Sequence, residues 1–368
     1  MAAHIAGTTE NHPHAARDLI GYGAHPPHPR WPNNAKICLS FVLNVEEGGE
    51  HTLLNGDDHS EGFLTEGGAT AAPRPGPTRH LGYESAYAYG ARSGFWRILN
   101  LFRRHNLKFT AWTIGRSLEL NPDTARAMEE AGCEVGSHSW RWIDYDGMDP
   151  AEEKEHIAKT MEVIKATSPS GRYPRGWYTG RNSMNTRKLV YETYREKSAL
   201  DLLYDSDSYE DDLPYWVPSP SPSSDPSVPS PPLLIIPYTY ESNDMKYAQT
   251  PGFTNSTQFF DYLRDAFDVL YAEGERSAAT SSAPGSSSFD VPKMLTIAMH
   301  SRVLGRPGRF AGLERFIEYI SKKDGVWVAT REEIAAHWRK EHPPSQAVID
   351  ASRQSASVAL APASRASQ

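Results

Sequence analysis

The chain has 368 residues, 39% of them hydrophobic and 23% charged, and a formal net charge of -8. That length fills one large or two ordinary domains, and no apolar run approaches the roughly 18 residues a membrane helix needs, which excludes a membrane span. Lys and Arg form no basic block, which excludes the clustered positive surface that nucleic acid requires.

Residues 1–17 form a polar arm carrying His4, His12 and His14, expected to be disordered. The arm has no positive segment followed by an apolar core, so no secretory signal is read and a cytoplasmic protein is expected. The Pro- and Gly-rich lead-in that follows places His25 and His28 between prolines, where they serve packing. Residues 37–43 read as a buried strand that ends at Glu46-Glu47-Gly48-Gly49. Neighbouring carboxylates raise the cost of ionising both, which suits one of them to proton transfer; the alternative is a solvated turn. Residues 51–90 read as a long irregular excursion, with Tyr83, Tyr87 and Tyr89 either covering a site or simply packing.

Alternation then sets in. A helix over 94–104 buries Phe95, Ile98, Leu99 and Phe102, and a strand over 108–112 follows. Asn121 reads as an N-cap with Pro122 behind it, Gly132 ends that helix, and a strand over 133–137 runs into His138. Cys38 and Cys133 both fall in predicted strands and are expected to be reduced core thiols. A helix from Asp149-Pro150 leads to a short strand at 176–178 and then Arg181, and a helix over 187–196 leads to a strand at 202–204 before Asp205-Ser206-Asp207. Strand 233–236, helix 257–271 and strand 294–299 deliver His300, and strand 326–328 meets a capping box of Thr330 and Glu333. The Pro-Ser run at 218–232 and the Ser-Ala run at 277–288 read as solvated insertions, and 343–368 as a disordered tail.

Eight strands separated by helices fit either a parallel barrel or a doubly wound sheet. Glu46, Glu47, His138, Arg181, Asp205, Asp207 and His300 all fall just past strand C-termini, the catalytic edge of (β/α) barrels, which decides for a single barrel over 18–342.

Asn44-Val45-Glu46-Glu47-Gly48 resembles the first motif of NodB-type polysaccharide deacetylases, Thr-Phe-Asp-Asp-Gly, with both aspartates lengthened. Ser137-His138-Ser139-Trp140-Arg141-Trp142 resembles their second motif, in which two histidines bind the metal, but Trp142 stands at the second histidine position. The run from Met294 to His300 resembles the last motif. Gly176-Trp177-Tyr178-Thr179-Gly180-Arg181, Tyr204-Asp205-Ser206-Asp207-Ser208-Tyr209 and Asp211-Asp212-Leu213-Pro214-Tyr215-Trp216 are similar to the PuuE-type allantoinases, the metal-independent branch of that superfamily.

This resemblance implies an α/β fold, a distorted (β/α) TIM-like barrel of the NodB type, assembled as a homotetramer. It also implies hydrolytic opening of the hydantoin ring of allantoin to allantoate, with no cofactor and no metal. A metal site needs about three protein ligands; Glu47 and His138 supply two and an indole cannot supply a third. On this reading Glu46 or Glu47 activates water, and His138 or His300 protonates the departing ring nitrogen. Arg181 holds a carbonyl or ureido group, Trp142 and Tyr178 wall a small cyclic ureide, and Asp207 orients its neighbours. Bland roles stay open: His138 as a core histidine, Arg181 as an ion-pair partner of Asp205 or Asp207. The other functional readings are a metal-dependent deacetylase of chitin-like polymers and a non-catalytic binding protein.

Overall fold

A computed structural model describes residues 18–67, 77–197, 202–223, 230–280 and 289–358. Among them lie β1 (Ile37–Val45), β2 (Thr110–Thr113), β3 (Glu134–Ser137), β4 (Gly176–Trp177) and β5 (Tyr204–Asp205). These are followed by β6 (Tyr215–Val217), β7 (Leu233–Ile235), β8 (Lys293–His300) and β9 (Val326–Val328). They form one sheet in the order β6-β7-β5-β4-β3-β2-β1-β8, with β9 also paired to β1. All pairings are parallel except β6 against β7. The path ends at β6 and β8 without pairing them, so the curled parallel sheet is a distorted, incompletely closed barrel, and Asn243 bridges in parallel to Ala298 along β8. β6 is the strand the sequence reading missed: three residues directly after Pro214 leave no periodicity to detect.

β1 shows why the run is continuously apolar. Ile37, Leu39, Phe41, Leu43 and Val45 face an outer layer of Phe95, Ile98, Leu99, Phe102, Phe267 and Phe316. Cys38 and Val42 face the barrel interior with Trp112, Tyr178, Tyr204 and Leu234. Both faces are covered, so neither parity is free to be polar except at the interior centre and the end of the strand. Both cysteines are free and buried, as expected.

The helical layer comprises α1 (Leu81–Tyr89), α2 (Phe95–Arg104), α3 (Gly115–Leu120), α4 (Asp123–Glu130), α5 (Pro150–Thr167) and α6 (Thr186–Glu196). It continues with α7 (Ser256–Thr280), α8 (Ser301–Leu304), α9 (Pro307–Ile320), α10 (Arg331–Glu341) and α11 (Gln346–Val358). The predicted face of α2 is buried, Asp149 caps α5, and Thr330 with Glu333 forms the capping box of α10. No helix among the described residues is long and apolar enough to cross a membrane.

Four expectations need correction. Asn121 ends α3, and α4 begins at Asp123. The excursion at 51–90 contains α1, which buries Tyr83 and Tyr87. Within the predicted disordered tail, 346–358 is helical: Val348 is buried and the Ser352 hydroxyl accepts the Ser219 N–H at 2.9 Å. That bond also anchors the first part of the 218–232 insertion. α7 extends through 280, into the second predicted insertion. The arm at 1–17 and residues 224–229, 281–288 and 359–368 lie outside the described residues.

Candidate active site

The period-two alternation of β1 continues past its end and separates the two glutamates. Glu46 keeps the parity of Asn44 and faces the interior, where its Oε1 lies 3.3 Å from His138 Nε2 and 3.5 Å from His300 Nε2. Its Oε2 accepts from Arg302 Nη1 at 2.6 Å. Glu47 turns the other way: its carboxylate accepts the backbone N–H of Arg302 at 3.1 Å and that of Glu46 at 3.2 Å. Gly90 makes room for it, since a Cβ there would sit 2.2 Å from Glu47 Oε1. The adjacent carboxylates therefore have different tasks, one at the centre of the site and one tying the end of β1 to α8.

The strand ends supply the histidines. His138 follows β3 and His300 closes β8, whose register sets Asn44 opposite His300. His138 Nδ1 lies 3.2 Å from the Tyr178 carbonyl, which can only accept, so Nδ1 carries a proton and Nε2 is aimed at Glu46. His300 is held by Asp244, whose carboxylate meets Nδ1 at 2.6 Å and accepts the backbone N–H at 2.8 Å. Asn44 donates to the Tyr238 hydroxyl at 2.9 Å and the Met299 carbonyl at 3.0 Å, which fixes the floor. After His138 the chain reverses through Ser139 at φ 67, left-handed backbone that a non-glycine residue enters only under constraint.

Charge is unevenly tuned. Burial alone would raise the Glu46 carboxyl, but Arg302, His300 and His138 hold it well below the usual carboxylate range. Burial pushes Glu47 up to about 7 against the pull of Arg302, with Glu46 adding to the rise. Burial works to lower His300, yet Glu46 and Asp244 outweigh it and hold the imidazole above its ordinary value. An ionised Glu46 thus sits beside an imidazole whose protonated form it favours.

A roof made of residues 51–67 and α1 closes the site. Glu46, His138 and His300 are exposed by only 1%, 2% and 5%. Leu64, Tyr87, Ile114, Trp142 and Val303 pack into one cluster over them. Arg141 Nη2 pairs with Asp57 at 2.6 Å, and the hydroxyls of Tyr87 and Tyr83 donate to the carbonyls of Phe63 and Gly67, each at 3.0 Å.

Of the residues singled out from the sequence, Glu46, His138 and His300 meet in one cluster, with the Tyr178 ring 4.9 Å from that of His138. Trp142 is buried beside them, with the Arg302 guanidinium 4.8 Å from its ring centroid. Arg181 is not at the glutamate. It lies 4.0 Å over the outer face of Trp142 and pairs with Glu61 at 3.5 Å. Among the described residues its pairing is with Glu61 rather than with Asp205 or Asp207, and Arg187 lies 3.5 Å from Asp205. Asp207 accepts from Thr179 N at 2.9 Å and Gly180 N at 2.8 Å, so it shapes the loop that carries Tyr178 and Arg181. Arg302 and Asp244 were missed. Arg302 does carry a signal, a cation two residues beyond a strand-terminal histidine, whereas Asp244 reaches His300 only through the fold.

A divalent metal of the deacetylase type does not fit these side chains. Among the described residues no three His, Cys, Asp or Glu side chains are arranged to hold a metal ion. Trp142 offers no donor lone pair, Glu47 is turned into backbone N–H groups, and the Arg302 cation already neutralises Glu46.

A carboxylate and two imidazoles at the C-terminal edge of a parallel barrel make the class a hydrolase. The polysaccharide deacetylase family matches residues 75–193. A protein of Schizosaccharomyces pombe, provisionally named a polysaccharide deacetylase, is 53% identical over 328 residues, 89% of this chain and 98% of that one. This chain therefore belongs to the polysaccharide deacetylase family. Two solved structures share its fold over 89% of this chain and 99% of theirs, each with a TM-score of 0.78. One is a Pseudomonas aeruginosa PAO1 protein, also provisionally named a polysaccharide deacetylase, at 49% identity. The other is PuuE allantoinase, at 46% identity.

Proposed function

We propose that the chain is a metal-independent cyclic amidase that opens the hydantoin ring of allantoin to allantoate. The observation that carries this reading is the ion pair of Glu46 with Arg302 under Trp142, where a metal deacetylase would keep a cation and an open ligand position. The closed roof suits a small, flat, polar molecule better than a polymer chain. The 46% identity to PuuE allantoinase supports the same choice.

In this mechanism the ligand enters between Glu46 Oε1 and the two imidazoles, whose contacts at 3.3 and 3.5 Å are the long ones, while Arg302 keeps its 2.6 Å grip on Oε2. Freed of its imidazole partners, Oε1 takes a proton from water as the oxygen adds to a ring carbonyl. The ring C–N bond breaks, and His300 Nε2 delivers its proton to the leaving nitrogen. Asp244 stabilises the imidazolium before the transfer. His138 Nε2 orients the attacking water, Trp142 and Tyr178 wall the ring, and Asp207 shapes the wall through its loop. The homotetramer expected from the resemblance belongs to the same proposal, and sedimentation of the purified protein checks it.

The competing reading is a metal-dependent deacetylase, favoured by one observation: both Nε2 atoms converge on Glu46 Oε1. The deciding experiment is allantoate formation by protein dialysed against EDTA and analysed for bound metal, beside acetate release from chitin oligomers with and without Zn²⁺. Ring opening by metal-free protein supports the proposal. Acetate release that needs Zn²⁺, with no ring opening, replaces it with the deacetylase reading.

A further inference from the structure

A second cleft opens beside the catalytic edge, where α7 and α9 begin. It holds about 550 Å³, and its lining includes Glu66, Asn255, Ser256, Arg306, Gly308 and Arg309. The string Gly305-Arg306-Pro307-Gly308-Arg309 belongs to none of the motifs that build the hydrolytic site.

Its charge is out of balance. Arg306 stacks over the Tyr89 ring at 3.7 Å, and its buried Nε has no hydrogen-bond partner among the described residues. A guanidinium carries five donors in a planar fork, and Arg306 brings that fork to the lining of the cleft. Arg309 pairs with Glu66 at 3.0 Å, but the Glu66 side chain is 56% exposed, so the pair is weak and easily exchanged. A third guanidinium, Arg97, donates to the Tyr89 hydroxyl at 2.7 Å. Among the described residues Glu66 is the only carboxylate in the lining, against two arginines. Gly308 leaves the wall open, because a Cβ there would meet nothing within 4 Å.

We propose that this cleft is a binding site for a small oxyanion, a phosphate or a carboxylate, held by the guanidinium groups of Arg306 and Arg309. Both ions match the planar fork of arginine, and the volume admits a small organic group attached to the ion. The ligand takes the place of Glu66 on Arg309 and lies against the Arg306 guanidinium. The site is separate from Glu46 and does not depend on which ring or ester the catalytic residues hydrolyse.

The test is calorimetric titration of the full chain with inorganic phosphate and, separately, with succinate, at ionic strength matched by sodium chloride. Saturable binding of either ion is expected, and the stronger of the two defines the source. Gly308→Asp adds a carboxylate at the cleft lining, at a position where a Cβ meets nothing within 4 Å, and should weaken binding about tenfold, the loss of one charge-assisted contact. Gly308→Ala, the neutral control, should bind as wild type does. Arg306→Gln should weaken binding by a similar factor, with its fold checked by circular dichroism. No saturable binding of either ion, or binding that Gly308→Asp leaves intact, overturns the proposal.

Discussion

Arg302 and Glu46 form an ion pair in which Nη1 lies 2.6 Å from Oε2 and each side chain is only 1% exposed. Such a pair is worth most when complete: removing one partner strands a buried charge, at a cost of about 3–5 kcal/mol. Arg302→Met is therefore expected to lower unfolding free energy by that order and to abolish turnover. Glu46→Gln should reduce kcat by at least about 100-fold, the scale of losing a general base. Glu47→Gln, acting through backbone N–H groups, should lower stability more than it lowers kcat. Urea unfolding beside steady-state kinetics measures both, and a Glu47→Gln that loses kcat at unchanged stability would reverse the roles.

Asp244 contacts His300 through both carboxylate oxygens and helps hold its imidazole above the ordinary value. A general acid works while it keeps its proton, so activity should decline as pH rises through the His300 pKa. Asp244→Asn removes that support and should move the alkaline limb of the pH–kcat profile to lower pH. The stability effect has the same sign. A raised histidine contributes stability fully present below its unfolded pKa and lost as pH rises through the folded one, so the variant should show less of that loss. A profile that keeps its alkaline limb in Asp244→Asn would remove His300 from the acid role.

The legible parts of the fold and site are those that periodicity marks. β1 reads as a strand because both faces are covered, and α2 reads as a helix because Phe95, Ile98, Leu99 and Phe102 recur at helical spacing. His138 and His300 stand out because each ends an apolar run. The split of Glu46 from Glu47 was within reach of strand parity, which sends alternate residues to opposite sides. Arg181 was legible as a cation past a strand end but not in its partner, since Glu61 lies 120 residues away. Asp244 sits in a loop that meets β8 only by tertiary bridging, and α11 arises from an Ala- and Ser-rich stretch with too few apolar residues to show a face.

Glu134 gives a pH test away from the catalytic residues. It is buried and accepts from the Tyr204 hydroxyl at 2.6 Å and the Thr110 hydroxyl at 2.8 Å, yet burial pushes it up to about 7. A carboxyl whose folded pKa exceeds its unfolded value lets the native state bind more protons. Stability should then fall as pH climbs from about 4.5 to about 7, by at most about 3 kcal/mol for this group. Glu47, also raised to about 7, adds a fall of the same sign. Glu134→Gln should remove the Glu134 share of the fall that it makes together with Glu47, His300 and the other raised carboxyls, read from urea unfolding at pH 5 and pH 8; an undiminished fall would mean that Glu134 is already ionised at pH 5.

Any ligand must first reach Glu46, which is only 1% exposed beneath the roof. The roof is latched where Arg181 lies 4.0 Å over Trp142, 5.5 Å from Phe63 and 3.5 Å from Glu61, while Phe63 stacks on Trp142 at 5.9 Å. Arg181 is 25% exposed, so its ion pair counts for little and the cation–π contact supplies most of about 1 kcal/mol. Arg181→Met should therefore populate the open roof about fivefold more and speed amide exchange of residues 57–67 by the same factor. The Arg141–Asp57 pair at 2.6 Å should keep the hinge side closed. If Arg181 instead served only to hold substrate, KM would rise while exchange stayed unchanged. Faster exchange with a raised KM would mean that one guanidinium both latches the roof and meets the ligand once it opens.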